Sequence, residues 1–254
     1  MNRIEQLYSL KDLNIVVTGA SSGLGLSMAI MLAECGANVI GLSRSGKIKV
    51  DFEGSLPDNL SFDTIDVANE SNVKQKITEI GEKHGIDVLV NNAGVTVKKP
   101  AAEVTQEELD YINNINISGV YNCSKYAFPY LKQSSNVGRV ISISSMASYL
   151  GFNQVVPYSA TKAAVLGITR GLAVEWAQEN VLVNSVSPGW FPSLMNQQVM
   201  DEERQKLILN RMPLHRYGKP EELAAMICFL ASPAATYITG QDFSVDGGAR
   251  AHGF

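Results

Sequence analysis

The sequence predicts an α/β protein with a doubly wound parallel sheet of seven strands flanked by helices. Along its 254 residues, seven short runs of apolar and β-branched residues alternate with longer helical patterns. Strands separated by helices in this way are typical of parallel βαβ units. No linker rich in proline, serine or charge interrupts the alternation, and no internal repeat occurs. We therefore expect one domain that spans residues 1–254.

Strands are predicted where β-branched and apolar residues form short runs. They lie at residues 14–18, 38–42, 60–65, 88–90, 139–143, 182–186 and 241–245. Apolar residues three and four positions apart predict helices. These lie at 23–35, 70–84, 106–131, 157–178, 199–210 and 221–230. Pro220 suits a helix start, whereas Pro129 predicts a bend or an end in the longest helix. Residues 45–59, with two glycines and a proline, are predicted to be irregular.

The composition excludes several classes of protein. Apolar residues make up 45% of the chain, which is too many for a disordered one. A net charge of −4 and the lack of any Lys/Arg-rich run argue against a nucleic-acid partner. No apolar stretch approaches the roughly 18 residues that cross a bilayer, and residues 1–10 do not resemble a signal peptide, so no membrane is expected.

The cysteines and histidines indicate neither a disulfide framework nor a metal. Cys35, Cys123 and Cys228 are odd in number and widely spaced, as in a reduced cytoplasmic protein. The three histidines have no metal-ligand spacing, so no metal site is expected.

A glycine-rich turn joins the first predicted strand to the first predicted helix. Gly19, Gly23 and Gly25 permit a tight turn and a close approach of backbone N–H groups to a pyrophosphate at the helix N-terminus. The spacing GxxxGxG differs from the general GxGxxG fingerprint. The strand–turn–helix context favours a dinucleotide site, and the alternative is a turn that serves packing only.

The residues that follow the second and third strands bear on the choice of dinucleotide. Ser43 and Arg44 stand where a carboxylate would bind the adenosine ribose of NAD, and Arg44 suits the 2′-phosphate of NADP. NADP(H) is therefore favoured over NAD(H), with a merely solvated Arg44 as the alternative. Asp66 and Val67 are predicted near the adenine. Asp66 is also a candidate N-cap for the helix that begins near Glu70.

One helix face carries a tyrosine and a lysine four residues apart. Tyr158 and Lys162 share this face, and a cation beside a phenol lowers its pKa towards neutrality, which suits acid–base catalysis. Ser144 and Ser145 follow the fifth strand, at the sheet edge where ligands bind.

With these motifs, the chain resembles the short-chain dehydrogenases/reductases, which are single-domain Rossmann oxidoreductases, over essentially its full length. The resemblance rests on residues 18–25, 91–94, Asn116, Ser145, Tyr158, Lys162, Pro188 and Gly189. It implies hydride transfer between nicotinamide and a secondary alcohol or ketone. It also implies a homo-oligomer, a dimer or tetramer, formed through the helices at 106–131 and 157–178 and the last strand.

The resemblance assigns a catalytic role to four residues. Tyr158 would exchange a proton with the substrate oxygen, and Lys162 would hold the nicotinamide ribose and lower the phenol pKa. Ser145 would hydrogen-bond the carbonyl, with Ser144 as the alternative. Asn116 would position a water that links Lys162 to solvent, and the alternative is a side chain bonded to the backbone of its own helix.

The resemblance also implies a cofactor-binding set. Its members are Gly19, Ser21, Ser22, Gly23, Leu24, Gly25, Ser43, Arg44, Asp66, Val67, Asn92, Ala93, Gly94, Tyr158, Lys162, Pro188, Gly189 and Ser193. Two of them depart from the family pattern. Ser22 stands where many NADP-using relatives carry a basic residue. Ser193 replaces a frequent threonine, and its hydroxyl would still reach the carboxamide.

The resemblance implies a substrate lid at about residues 189–215. The apolar residues expected there are Trp190, Phe191, Leu194, Met195 and Met212, with Arg211 and His215 nearby, and simple packing of the lid is the alternative. Residues 188–193 and 211–218 resemble the branch of the family that acts on gluconate and 2-deoxygluconate. In that case Asn153, Gln154 and Arg211 would meet a polyhydroxylated or carboxylate substrate.

Two alternative functions stay open. The first is a 3-oxoacyl-(acyl carrier protein) reductase, whose acidic carrier needs a basic surface, and Lys125, Lys132 and Arg139 are scattered candidates for it. The second is a cofactor-binding regulatory protein without catalysis. Such a protein should lack Ser145, Tyr158 or Lys162, and all three are present.

Overall fold

A computed structural model describes residues 2–49, 55–192, 206, 208–210 and 212–253. Its sheet confirms the predicted fold class, because seven strands pair in parallel in the order β3-β2-β1-β4-β5-β6-β7. The strands are β1 (Asn14–Thr18), β2 (Asn38–Ser43), β3 (Leu60–Thr64), β4 (Val88–Asn91), β5 (Gly138–Ile143), β6 (Val181–Pro188) and β7 (Asp242–Val245). The strand order reverses between β1 and β4, and the crevice beyond their carboxyl ends is where such sheets bind ligands.

Helices flank the sheet on both faces. They are α1 (Arg3–Tyr8), α2 (Gly23–Glu34), α3 (Glu70–His84), α4 (Gln106–Asn113), α5 (Gly119–Leu131), α6 (Val156–Trp176), α7 (Pro220–Ala231) and α8 (Ala249–His252). The apolar faces of α2 and α7 pack in one core, whereas α3, α5 and α6 pack in the other. Successive residues of β1 pack in different cores, since Ile15 and Val17 belong to the first and Val16 to the second.

The longest predicted helix is a helical run with a π turn inside it. The π turn at Asn114–Ser118 joins α4 to α5. Pro129 lies within α5, which ends two residues later at Leu131, so the proline falls in the last turn before the end of the helix. Such π turns frequently occur at functional sites.

Other differences from the sequence expectations are small. Helix α1 was not predicted, although Asn2 and Glu5 form a capping box at its start. Of the helix expected at 199–210, only residues 206 and 208–210 are described, and they are helical. The described residues of the segment 45–59 form neither helix nor strand, as expected.

Within the described part of the chain, no helix has both the length and the apolar character to cross a membrane. The same residues contain no cluster of three histidine, cysteine or carboxylate side chains that would hold a metal ion.

Candidate active site

A cavity of about 460 Å³ lies at the carboxyl ends of β1 to β6. The predicted cofactor residues that line it are Gly19, Ser21, Ser22, Gly23, Leu24, Gly25, Ser43, Arg44, Asp66, Val67, Asn92, Ala93, Gly94, Tyr158, Lys162, Pro188 and Gly189. Ser193 lies outside the described residues. Ser145 also lines the cavity, whereas Asn116 is fully buried behind the wall. The sequence-based set and the cavity therefore largely coincide.

The glycine-rich turn follows β1 with almost no room for side chains. Gly19 has φ +70°, and a Cβ there would lie 2.8 Å from the Cα of Ala93. A Cβ on Gly25 would overlap the carbonyl oxygen of Gly19 and the amide of Asn92. The turn thus serves close packing, and it also brings the N-terminus of α2 to the cavity. A helix N-terminus favours an anion such as a pyrophosphate.

Asn92 fixes the turn to the loop that follows β4. Its Nδ2 donates to the carbonyl oxygens of Thr18 at 3.0 Å and Gly19 at 3.1 Å. In return, the Oγ1 of Thr18 accepts hydrogen bonds from the backbone N–H groups of Asn92 and Ala93, both at 3.1 Å. These bonds hold two walls of the cavity together across the reversal point of the sheet.

Two basic side chains line the end of the cavity that lies next to β2. Arg44 and Lys49 are exposed and line it, and their side chains have no hydrogen bond or ion pair among the described residues. The backbone N–H of Lys49 donates to the carbonyl oxygen of Ser21 at 2.9 Å, which ties the irregular loop to the glycine-rich turn. Lys49 was not singled out from the sequence, because it lies in a loop without a periodic pattern.

Asp66 is exposed at the same end of the cavity, and its proposed capping role is wrong. The N-cap of α3 is Asn69, whose side chain accepts from the N–H of Asn72 at 3.0 Å. Asp66 instead accepts from the N–H of Ala68 at 3.1 Å, a turn that shapes the approach to the helix. Asn69, directly before Glu70, was the sequence signal for the cap.

Tyr158 and Lys162 lie in the first turns of α6, on the same side of the cavity. The Nζ of Lys162 is 5.8 Å from the centroid of the Tyr158 ring and donates to the carbonyl oxygen of Ile143 at 2.7 Å. Burial lowers the pKa of Lys162 to about 8. Desolvation raises the pKa of the Tyr158 phenol, and its interaction with Ser145 lowers it only in part.

The expected lowering of the Tyr158 pKa by Lys162 is therefore wrong for this arrangement. The ammonium group of Lys162 bonds to the carbonyl of Ile143, and desolvation dominates at the phenol. The phenol is consequently protonated at neutral pH, which is the form that donates a proton.

The two serines after β5 have different surroundings. The hydroxyl of Ser144 bonds to Ser148 at 2.7 Å and to the carbonyl oxygen of Lys162 at 3.0 Å. Ser145 accepts from the N–H of Ala147 at 3.1 Å and also interacts with the Tyr158 phenol. Of the two, Ser145 has the hydroxyl directed to the tyrosine, whereas Ser144 joins β5 to α6.

Asn116 lies in the π turn and holds the loop after β4. It exchanges two hydrogen bonds of 2.9 Å with the backbone of Val95, and its Nδ2 also donates to the Oγ1 of Thr161 at 3.0 Å. The alternative of a bond to its own helix is wrong. Both N–H donors are used, and its Oδ1 keeps one lone pair free among these contacts. A Cβ on Gly94 would lie 3.3 Å from this Oδ1 and 3.5 Å from the Nζ of Lys162.

The described part of the expected lid is short. Phe191 is buried and lines the cavity, and the ring of Trp190 meets that of Phe152 edge-on at 6.2 Å between centroids. Met212 is buried, which agrees with packing, and His215 is exposed, with its Nδ1 3.0 Å from the carbonyl oxygen of Leu209. Leu194, Met195 and Arg211 lie outside the described residues. Asn153 and Gln154 do not line the cavity.

The basic surface considered for a carrier protein is not formed by its three candidates. Arg139 is buried, and its guanidinium donates to the carbonyl oxygens of Asn136, Val137 and Ser232. Burial lowers its pKa to about 10. Lys125 pairs with Glu70 at 3.2 Å, and Lys132 lies 3.8 Å from Glu179.

The fold and the cavity together define a dinucleotide-binding protein of the doubly wound class, with a tyrosine, a lysine and a serine grouped at one end of the site. A family model described as enoyl-(acyl carrier protein) reductase matches residues 19–250. The chain belongs to the short-chain dehydrogenase/reductase family.

Curated relatives of two kinds are similar to the chain. A 2-dehydro-3-deoxy-D-gluconate 5-dehydrogenase of Dickeya dadantii is 37% identical over 248 residues, which cover 95% of this chain and 96% of the relative. A 3-oxoacyl-(acyl carrier protein) reductase of Thermotoga maritima is 36% identical over 238 residues, which cover 92% and 96%.

Solved structures agree with the first kind. A gluconate 5-dehydrogenase of Burkholderia cenocepacia, in complex with NADP and tartrate, has a TM-score of 0.89 at 28% identity and covers 98% of this chain and 99% of its own. A putative 2-deoxy-D-gluconate 3-dehydrogenase of Agrobacterium tumefaciens with bound NADP has a TM-score of 0.86 at 32% identity and covers 96% and 99%.

Proposed function

We propose that the chain is an NADP-dependent oxidoreductase that interconverts a secondary alcohol and a ketone on a sugar acid. The observation that carries the proposal is the grouping of Ser145, Tyr158 and Lys162 in the cavity that the glycine-rich turn also lines. A non-catalytic cofactor-binding protein would have no need of this group. Relatives of known structure have been solved with NADP, and several relatives are dehydrogenases of gluconate or its deoxy derivatives.

The residues of the cavity fit a dinucleotide. Its volume of about 460 Å³ lies within the range of cofactor sites. The N-terminus of α2 would face the pyrophosphate, and Arg44 and Lys49 would take a 2′-phosphate at the β2 end. Pro188, Gly189 and Ser193 would hold the nicotinamide end. Bound in this way, NADPH supplies the hydride for the substrate carbonyl.

The chain's own residues supply the proton and the orientation. Tyr158 is protonated at neutral pH and would donate its proton to the substrate oxygen as the alkoxide develops. Ser145 would donate a hydrogen bond to the same oxygen and fix its position. Lys162 would hold the nicotinamide ribose, and Asn116 would use the free lone pair of its Oδ1 to orient a water beside Lys162.

The choice of a sugar acid over an acyl thioester rests on two observations. The relatives include both kinds of enzyme at nearly equal identity. However, Arg139 is buried and both lysines already face a carboxylate, so these residues do not form a basic docking surface for an acidic carrier. The acyl-thioester reductase is therefore kept as the second candidate.

Kinetics with a small panel of substrates test this choice. We expect NADPH-dependent reduction of 5-ketogluconate or of a keto-deoxygluconate with a kcat/KM at least tenfold above that for an acetoacetyl thioester. Turnover of the thioester without turnover of either sugar acid would overturn the substrate class and leave the reaction type standing.

We also propose that the chain acts as a single domain in a cytoplasmic homo-oligomer, a dimer or tetramer. Tyr111 and Tyr121 on the helices of the 106–131 run, and Val174 on α6, are exposed by 44%, 48% and 83%. These helices are the ones through which the family resemblance expects the copies to associate. Sedimentation equilibrium tests the proposal, and a monomer at micromolar concentration would contradict it.

A further inference from the structure

Two of the three cysteines meet although 193 positions separate them in the sequence. The Sγ atoms of Cys35 and Cys228 lie 4.0 Å apart. Cys35 directly follows α2 as its C-cap, and Cys228 lies within α7. The two helices pack against each other in the first core, so the contact between the thiols follows from the packing of well-formed elements.

The two thiols differ in their exposure. Cys35 is exposed, whereas Cys228 is half-buried and packs against the apolar core between α2 and α7. A soluble oxidant therefore meets Cys35 first, and Cys228 is the only described thiol within reach of it. Cys123 is buried in the other core, and burial raises the pKa of its thiol to about 12.

We propose that Cys35 and Cys228 form a modification site. Small disulfides such as glutathione disulfide would oxidise this pair of thiols to an intramolecular disulfide. The sulfurs, 4.0 Å apart, need to approach by about 2 Å to reach bonding distance. The product joins the end of the helix that carries the glycine-rich turn to α7.

The chemistry balances with glutathione disulfide as the oxidant. The Cys35 thiolate attacks one sulfur of glutathione disulfide, which forms a mixed disulfide and releases one glutathione thiolate. The thiol of Cys228 then loses its proton to solvent and attacks the Sγ of Cys35, which displaces the second glutathione. The protein loses two electrons and two protons, and glutathione disulfide gains them as two thiols.

The disulfide should stabilise the fold. It closes a loop of 193 positions in a chain of 254 residues, and cross-links that close long loops restrict the unfolded state most. For a chain of this size we expect the Tm to rise by roughly 5–10 °C on oxidation and to return on addition of dithiothreitol.

Peptide mass spectrometry of the full chain tests the site. The protein is incubated with glutathione disulfide, unfolded in a denaturant that contains iodoacetamide to alkylate the free thiols, and digested. We expect a cross-linked peptide pair that contains Cys35 and Cys228, with Cys123 alkylated. The C123S variant should give the same cross-link and the same rise in Tm. The C35S variant, with a small change at an exposed position, should give neither.

Three results would overturn the proposal. The first is glutathione that remains on Cys35 as a stable mixed disulfide in the wild type. The second is a cross-link that joins two chains instead of two helices of one chain. The third is a rise in Tm that C35S shows as well, which would separate the stabilisation from the cysteine pair.

Discussion

Arg44 and Lys49, which have no ionic partner among the described residues, give the sharpest prediction for coenzyme choice at the β2 end of the cavity. The 2′-phosphate distinguishes NADPH from NADH, and the structure offers Arg44 and Lys49 to bind it. Both side chains are exposed, so the interaction is screened by water. At a separation of 4 Å in bulk water, a charge pair contributes about 1 kcal/mol, and a charge-assisted hydrogen bond contributes about 1.5–3 kcal/mol.

These magnitudes set the expected losses. Replacement of Arg44 by alanine removes a planar, bidentate partner and should cost about 2 kcal/mol, which is about a 30-fold rise in the Kd for NADPH. Replacement of Lys49 by alanine removes a point charge and should cost about 1 kcal/mol, or about fivefold. The Kd for NADH should change by less than about twofold in both variants, because NADH lacks the phosphate.

Titration of coenzyme fluorescence at fixed ionic strength measures the Kd for NADPH and the Kd for NADH in the wild type and in each variant. Lys11→Ala is a matched control, because Lys11 is also exposed but does not line the cavity. Higher salt should reduce the preference of the wild type for NADPH, since exposed charges are screened. Equal losses for NADPH and NADH in Arg44→Ala, or no loss for either, would refute the assignment.

Three further variants test the interior of the site. Gly25→Ala places a Cβ against the Gly19 carbonyl oxygen and the Asn92 amide, so the Kd for NADPH in the same titration should rise about tenfold or more. Lys162→Met removes a group whose pKa is about 8 in the fold against an ordinary value of 10.5. The unfolded chain then binds more protons between these two values, so the stability of the wild type relative to the variant should rise by about 3 kcal/mol from pH 8 to pH 10.5 in denaturant unfolding. Asn116→Ala leaves buried partners without hydrogen bonds and should lower the unfolding free energy by about 3 kcal/mol in denaturant unfolding, and kcat should fall in steady-state assays.

The strands were predictable because most of them are buried on both faces. All four residues of β4 and all six of β5 are buried, and such segments form continuous apolar runs that are visible in the sequence. The glycine-rich turn was equally visible, since its spacing between a strand and a helix is a local pattern. The ends of four predicted helices, α2, α3, α6 and α7, were predicted within two residues.

Features that depend on contacts between distant segments were not predictable. Arg139 is buried and donates to carbonyl groups, one of them 93 positions away. The residues near Arg139 in the sequence do not predict this burial. Lys49 reaches the cavity because a backbone bond to Ser21 folds an irregular loop onto the turn. The π turn that holds Asn116 inserts extra residues into a helix without changing the surrounding apolar pattern.

The pKa of Tyr158 shows the same limit for electrostatics. The spacing of Tyr158 and Lys162 correctly places both on one side of the cavity. The sequence does not reveal that the Lys162 ammonium bonds to the carbonyl of Ile143 or that desolvation dominates at the phenol. The balance between a nearby charge and burial depends on distances that only the folded chain defines.

The most direct test of the proposed reaction is the Tyr158→Phe variant, with NADPH binding and keto sugar-acid reduction measured on the same sample. Loss of the phenol hydroxyl removes the proton donor and keeps the ring. A general acid contributes roughly 10²–10⁴-fold to a rate, so kcat should fall about 1,000-fold. The Kd for NADPH should stay within about twofold of the wild-type value. A variant that binds NADPH and keeps kcat within about tenfold of wild type would contradict the role of Tyr158 as the proton donor.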